Sequence, residues 1–273
     1  FFFHPQPAIP DPLWSRGLGD VYKRQVSKWQ KELDAELMPN NVLRLSESGL
    51  ISDKKGYDTG EWWVQDYSSQ LPVKCLTIGQ DDEILDLCAA PGGKTAQMLA
   101  LGAKVHSIDL SDKRIIRFKE NMRRLKFNPV IDNADILTYK TEKKWQKILL
   151  DVPCSSTGTI RKNPDILYSK NEKSVSNLVN LQTRLLEKSW SLLGKNGHLI
   201  YCNCSLEVEE GEMQIINFLK HHGDCQIDKI SSNLIEDIQD SVTEEGWLRI
   251  LPSGKKGVKN RDGFFIARLK KIS

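Results

Sequence analysis

Asp86-Leu87-Cys88-Ala89-Ala90-Pro91-Gly92-Gly93-Lys94-Thr95 is the stretch whose reading decides the fold. The run leading into it, Glu83-Ile84-Leu85-Asp86-Leu87, is short and apolar, as a buried parallel strand is. Beyond it, Gly92-Gly93 opens a helical pattern through Gln97, Met98 and Leu99. Strand, small-residue turn and helix start together let backbone N–H groups come close to a bound cofactor. Gly93-Lys94-Thr95 has the ending of a phosphate-binding loop, but that motif needs Gly at position 88, where Cys stands. The G-x-G-x-x-G spacing of a dinucleotide site is missing as well. A nucleoside-cofactor turn and an ordinary strand–helix turn remain.

Downstream, strand and helix patterns alternate. Strands are predicted at 83–89, 104–109, 129–134, 147–152, 197–203, 225–230 and 263–269, and helices at 93–101, 112–126, 174–193 and 207–221. Leu178, Leu181, Leu185, Leu186, Trp190 and Leu193 recur at helical spacing, with Gly194 and Gly197 behind them as a stop. Strands separated by helices imply a mostly parallel sheet covered on both faces. The last strand follows the sixth through about 30 non-helical residues, as an antiparallel insertion does. The fold class is open α/β, seven-stranded.

Upstream, Glu61-Trp62-Trp63-Val64-Gln65-Asp66 carries two adjacent Trp, suited to a core plug or to a substrate-side surface. Residues 26–60 read as a partial N-terminal subdomain, with a helix over Val26–Leu37 and weak strand signals near Val42–Leu45. Residues 1–25 differ in character: they lack an initiator Met, are Pro-rich from His4 to Pro12, and are set aside as a leader that is not native or not ordered. The chain is accordingly read as a fragment. Residues 61–273 form the expected catalytic domain.

Composition excludes some classes. In 273 residues, 39% hydrophobic and 27% charged, no apolar run approaches the ~20 residues a membrane span needs. The net charge of +3 permits a polyanionic partner only if the basic residues cluster. Six cysteines in a chain of this size, without a signal peptide, read as reduced thiols of a cytoplasmic protein. Cys202-Asn203-Cys204 lacks metal-site spacing, so no metal is expected.

Ligands of open α/β sheets bind beyond the carboxyl ends of the strands. There lie Cys88 to Lys94, then Asp109, Asp135, Asp151 with Cys154, and Cys204. Acids suit a ribose diol and an amino group, which donate hydrogen bonds, and suit a triphosphate badly. Cys154 and Cys204, each followed by Ser at a strand end, can face one cleft. A thiolate there can attack carbon 6 of a pyrimidine and give carbon 5 the carbanion character to accept a methyl group.

At these residues the chain resembles the RNA cytosine-5 methyltransferases of the bacterial Sun/RsmB type, which act on 16S ribosomal RNA. The matching pieces are Trp62 to Asp66, Asp86 to Thr95, Asp109, Asn133-Ala134-Asp135, Asp151-Val152-Pro153-Cys154-Ser155, Tyr201 to Ser205 and Asp262-Gly263-Phe264-Phe265, in family order over residues 60–271. The resemblance implies a class I, Rossmann-like methyltransferase fold with an antiparallel last strand. It implies S-adenosylmethionine held by Cys88, Ala89, Ala90, Pro91, Gly92, Gly93, Lys94, Asp109, Asp135 and Asp151. It makes Cys204 the nucleophile, Cys154 the thiol that helps resolve the covalent adduct, and Asp151 a partner of the protonated ring nitrogen. Two departures stand out: Asn203 where the family usually has Thr, and Cys202 as a third nearby thiol.

RNA contacts are expected from Arg161-Lys162, from Arg123-Arg124 with Lys126, and from Lys255-Lys256 with Lys259 and Arg261. The expected partner is structured RNA, ribosomal first and transfer RNA second, with the protein a monomer. A P-loop-like NTPase and a non-catalytic RNA-binding factor are the competing classes. Cys88 speaks against the first, and intact Cys204, Cys154 and Asp151 against the second.

Overall fold

Side chains alternate across a strand, so apolar runs buried on both sides build two cores at once. The computed structural model, which describes residues 2–5, 18–45, 49–252 and 261–272, follows that rule. A first, antiparallel sheet has β1 (Phe2–Pro5), β2 (Glu36–Met38), β3 (Val42–Arg44) and β4 (Trp62–Val64) in the order β2-β3-β1-β4. Helix α1 (Leu18–Glu32) packs on it through Val26 and Trp29. Helix α2 (Tyr67–Cys75) then leads to the main sheet, made of β5 (Glu83–Leu87), β6 (Lys104–Asp109), β7 (Val130–Asn133), β8 (Trp145–Asp151), β9 (Leu193–Asn203), β10 (Cys225–Ile227), β11 (Leu248–Ile250) and β12 (Phe264–Lys271). Its helices are α3 (Gly93–Ala100), α4 (Asp112–Arg124), α5 (Ile166–Ser169), α6 (Glu172–Leu192) and α7 (Glu212–His221).

The strand order is β10-β12-β9-β8-β5-β6-β7, with β11 paired on β12. Strands β5 to β9 are mutually parallel, and β12 inserts antiparallel between β9 and β10, as expected from the non-helical connection. The strand β11 is an eighth member where seven were predicted; three residues are too few for a period to stand out. On one face Ile84, Leu149, Ile200 and Ile266 pack with Tyr67, Leu71 and Met98 of α2 and α3. On the other, Leu85, Leu150, Leu199 and Phe265 pack with Leu185, Trp190, Ile215 and Phe218 of α6 and α7. Among the described residues no helix is long and apolar enough to cross a membrane.

The N-terminal part differs most from expectation. Within residues 1–25, set aside as a leader, Phe2–Pro5 pair with β3 and β4, and α1 already begins at Leu18. The boundary drawn at residue 25 thus falls inside a helix. The helix predicted over Val26–Leu37 stops at Glu32, because Asp34 takes a left-handed φ of 45° and turns the chain into β2. Strand β4, placed in the catalytic domain by sequence, pairs with β1 instead.

Adjacent strand residues face opposite ways, and the double Trp uses this. Trp62, 0% exposed, belongs to the N-terminal cluster with Val26, Trp29 and Leu43. Trp63, 3% exposed, enters the cluster of Ala90, Ala96, Phe118 and Met122 beside the turn that follows β5. The pair is therefore a core plug on both sides of one strand, joining the two sheets. Trp63→Ala is expected to lower the unfolding free energy by about 3–5 kcal/mol, read from urea unfolding at unchanged slope. A loss below about 1 kcal/mol would remove Trp63 from that joint.

Candidate active site

The turn after β5 is shaped by backbone conformations that few residues adopt. Cys88 has φ 61° and Gly92, capping α3, has φ 101°. A Cβ on Gly92 would sit 2.9 Å from both Met122 Cε and Phe118 Cδ2, so both φ and space demand glycine there. Asp109, at the end of β6, is buried: its carboxylate accepts from Ala90 N at 3.0 Å and from Ser111 N at 3.0 Å. The Arg114 guanidinium donates to the Ala90 carbonyl and lies 3.5 Å from Asp109. Asn121 Nδ2 donates to the Pro91 carbonyl at 3.0 Å. Neighbouring strands thus fix the turn before any ligand arrives.

Asp86 lies beneath it, 1% exposed, accepting from Thr95 Oγ1 at 2.5 Å while its Oδ1 has no partner. Burial pushes its carboxyl up to about 7. Lys94 reaches over to Asp151 Oδ2 at 2.7 Å. Burial works against its charge, but the Asp151 carboxylate holds the ammonium above the ordinary lysine range. Asp135 is half-buried and accepts from Leu137 N at 2.9 Å, capping a turn at the end of β7.

The pieces fit a nucleoside cofactor better than a triphosphate. Asp109, Asp135 and Asp151 lie at or just past the ends of β6, β7 and β8, parallel strands on the two sides of β5, and bring acceptors. The one cation of the turn, Lys94, is already matched by Asp151. Among the described residues no group of three His, Cys, Asp or Glu side chains could hold a metal ion.

The cysteines meet as their strand positions imply. Asp151 on β8 pairs with Cys202 on β9, so the residues just past both strands converge. Cys154 Sγ and Cys204 Sγ lie 3.5 Å apart, both thiols free and half-buried. Ser156, at φ 62°, brings its hydroxyl to 3.5 Å from Cys204 Sγ and 3.8 Å from Cys154 Sγ. The Cys154 thiol, donating to its neighbour, holds Cys204 below the ordinary thiol range; burial opposes this and the Ser156 hydroxyl supports it. Cys154 is pushed up by the same hydrogen bond and by burial. The third thiol, Cys202, is fully buried 3.6 Å from Asp151 Oδ1 and is also pushed up, by burial and then by that carboxylate. Burial raises Cys88 too. Of these four thiols only Cys204 is shifted below the ordinary thiol range; the other three are pushed above it.

Several neighbours escaped the sequence reading. Glu210 is fully buried and binds the Cys154 turn, and Arg249 donates to the Ser205 carbonyl at 2.7 Å while pairing with Glu212. The helix predicted over 207–221 breaks at Gly211, so that α7 begins at Glu212. A Cβ on Gly211 would lie 2.3 Å from Arg249 Nη2 and 3.0 Å from Phe265 Cγ. That break, signalled only by one glycine among acids, turns Glu210 inward.

The basic residues are engaged within the chain. Lys162 Nζ lies 2.5 Å from Asp66 and 2.8 Å from Asp262, and Arg161 is 3.3 Å from Asp262. Arg124 departs further from its expected role as an RNA contact. Its guanidinium donates to the Tyr57 and Trp62 carbonyls at 2.7 and 3.0 Å and stacks on the Tyr57 ring at 4.0 Å, tying α4 to the N-terminal sheet. Arg123 and Lys126 remain exposed, whereas Arg261 is buried with its Nε donating to the Leu251 carbonyl at 3.3 Å. Lys255, Lys256 and Lys259 lie outside the described residues.

The chain is similar to known proteins. A ribosomal RNA small subunit methyltransferase B from Photorhabdus laumondii is 36% identical over 246 residues, covering 88% of this chain and 54% of that protein. The protein of the same name from Yersinia enterocolitica is 33% identical over 269 residues, covering 94% and 59%. The chain thus spans little more than half the length of these curated relatives. The crystal structure of PH0851 superposes with a TM-score of 0.83 at 26% identity, covering 99% of this chain and 59% of that one. NSun6 from Pyrococcus horikoshii, solved with the S-adenosylmethionine analogue SFG, gives 0.72 at 25% identity, covering 85% and 59%. The family model for 16S rRNA methyltransferase RsmB/F matches residues 73–270, a span holding the cofactor turn and both cysteine loops, and the chain belongs to that family.

Proposed function

We propose that this chain methylates carbon 5 of a cytosine in RNA through a covalent cysteine adduct, with small-subunit ribosomal RNA as substrate. The observation that carries this reading is the 3.5 Å pairing of Cys204 with Cys154 beside the Asp151–Lys94 ion pair. The names of the curated relatives supply the ribosomal RNA.

In this reading the Cys88–Lys94 turn, Asp109, Asp135 and Asp151 hold S-adenosylmethionine, which when bound supplies an electrophilic methyl group. Acids at the strand ends accept from its hydroxyl and amino groups, and Asp109 also acts through the Ala90 amide it anchors. Cys204 attacks carbon 6 of the ring as a thiolate, forming the carbon–sulfur bond while the ring electrons shift toward carbon 5. Asp151 stabilises the ring nitrogen that gains a proton. After carbon 5 is alkylated it must give up its own proton to a base; the carbon–hydrogen electron pair left behind re-forms the ring double bond and expels Cys204 as thiolate. Cys154, close enough to hydrogen-bond the departing sulfur, assists that last step.

Both thiols are recessed, so the target base must leave its stack to reach them. Arg161 and Lys162 keep side-chain exposures of 40% and 39% and stand on the loop leaving Cys154, where a backbone phosphate can join the acids they already meet.

Calorimetric titration with S-adenosylmethionine, with ATP as control, is expected to give binding by the former alone, weakened at least tenfold in Asp109→Ala. Binding of ATP instead would overturn the reading of the turn. On a denaturing gel with labelled RNA, Cys154→Ala is expected to accumulate a covalent protein–RNA adduct, because attack persists while resolution fails. Cys204→Ala should form none. The reverse pattern would exchange the two roles.

A further inference from the structure

Two thiols side by side must differ if one is to attack and the other to hold a proton. The chemistry proposed above leaves unassigned the residue best placed to make them differ. Glu210 is 0% exposed. Its Oε1 accepts from Ser155 N at 2.9 Å and from Gln182 Nε2 at 2.8 Å; its Oε2 accepts from Ser155 N at 3.2 Å and from the Ser155 hydroxyl. Gln182 Nε2 also donates to the Pro153 carbonyl at 2.9 Å. The backbone carbonyl of Glu210 accepts from the Tyr201 hydroxyl at 2.7 Å and from Asn203 Nδ2 at 2.8 Å. The residues on both sides of Cys154 and the residue before Cys204 are therefore tied, directly or through Gln182, to one buried glutamate.

Among the described residues no lysine, arginine or histidine forms an ion pair with Glu210, and every group facing its carboxylate is a neutral donor. With only neutral donors around it and no cation, the charge of the carboxylate reaches its surroundings little screened. Around the thiol pair, Glu210 faces Cys154 from the turn after β9, and Tyr201 lies beside it on β9. On the cofactor side Asp151 from β8 and Lys94 from α3 face Cys204. The Glu210 anion bears on Cys154, while at Cys204 the opposed charges of Asp151 and Lys94 offset each other, Asp151 being the stronger of the two.

We propose that Glu210 is a positioning residue for this reaction: its carboxylate fixes the Pro153-Cys154-Ser155 turn against Cys204 and keeps the shared proton on Cys154. The inference rests on reading Cys204 as the nucleophile and Cys154 as the resolving thiol. The upward displacement of Cys154, set first by its hydrogen bond to Cys204 and by burial, has Glu210 among its further causes. Because the thiols titrate as a pair, removing the anion changes which sulfur carries the charge.

The test uses limiting iodoacetamide on the whole chain, without RNA or cofactor, across a pH series, with labelled cysteines identified by peptide mass spectrometry. The unsubstituted protein should label Cys204 ahead of Cys154. Glu210→Gln, nearly isosteric and uncharged, is expected to raise the Cys154-to-Cys204 labelling ratio about tenfold at a nearly unchanged melting temperature. A ratio within about twofold of the unsubstituted protein, in a folded variant, overturns the electrostatic part of the proposal. Ser155→Ala removes one hydroxyl donor and keeps the charge. It should leave the labelling ratio as it was, while the RNA adduct persists several-fold longer; release at the unsubstituted rate overturns the positioning part. Where Glu210→Gln does not fold, Ser155→Ala decides alone by that same comparison. If Cys154→Ala forms no RNA adduct, the proposed reaction itself fails, and the labelling ratio, which needs neither RNA nor cofactor, still judges Glu210.

Discussion

Parallel pairing of β8 with β9 is the constraint on which the site depends. Its register sets Asp151 opposite Cys202, and the ladder continues past the strands through Val152 N to the Cys202 carbonyl at 3.1 Å and Gly158 N to the Cys204 carbonyl at 2.9 Å. Two loops that leave the sheet side by side are thus stitched together over several residues. Cys154 lies three residues beyond Asp151 and Cys204 two beyond Cys202, so their sulfurs meet where the loops are still joined. At Gly158 a Cβ would fall 2.3 Å from the Gly263 carbonyl and 2.7 Å from the Cys204 carbonyl, and only glycine permits that closeness. A slip of one residue would turn one sulfur to the other face of the sheet and dissolve the pair.

Electrostatics follow from the same placement. The carboxyl ends of β5, β6 and β8 bring Asp86, Asp109 and Asp151 into one region with the ammonium of Lys94 and the guanidinium of Arg114. Such a concentration of buried acid resists folding unless it is partnered. Asp151 takes Lys94, Asp109 takes two backbone amides, and Asp86 takes Thr95 and is pushed toward its neutral form. What remains is a site rich in acceptors, with its one ammonium already neutralised. That balance suits a cofactor bearing hydroxyl, amino and sulfonium groups and disfavours one bearing phosphates.

Much of this was legible in the sequence because period and position carry it. One parallel strand announced itself as an apolar run and the others by alternating with helical patterns, and the polar residues that close them were singled out by the rule that open sheets bind ligands at strand ends. Other features carry no such signal. Arg124 reads as a surface charge in a basic run, yet its planar guanidinium bridges two carbonyls and an aromatic face on another sheet. Lys162 looks like a phosphate contact until Asp66 and Asp262, 96 and 100 residues away in sequence, arrive beside it. Helix α2, absent from the predicted helices, contains Pro72, a residue that disfavours helix interiors, and packing of Tyr67 and Leu71 into the core overrides that preference. Glu210 hides in an acidic run that reads as the solvated first turn of a helix. Long-range partners decide each of these cases, and a local reading cannot contain them.

The two departures from the family pattern find their explanation in the same geometry. Asn203 Oδ1 accepts from Ser205 N at 3.0 Å while its Nδ2 donates to the Glu210 carbonyl at 2.8 Å. An amide supplies acceptor and donor on separate atoms, so one side chain braces the nucleophile loop and the glutamate turn together; a single hydroxyl must do both from one oxygen. Cys202 competes more directly, being a thiol two residues before Cys204, the proposed nucleophile. Yet it is fully buried and faces Asp151, whose negative charge opposes its ionisation, whereas Cys204 has a thiol donor and a hydroxyl at hand. The company each sulfur keeps sets the two apart: burial and then a carboxylate push Cys202 up, and the hydrogen bond with Cys154 holds Cys204 down.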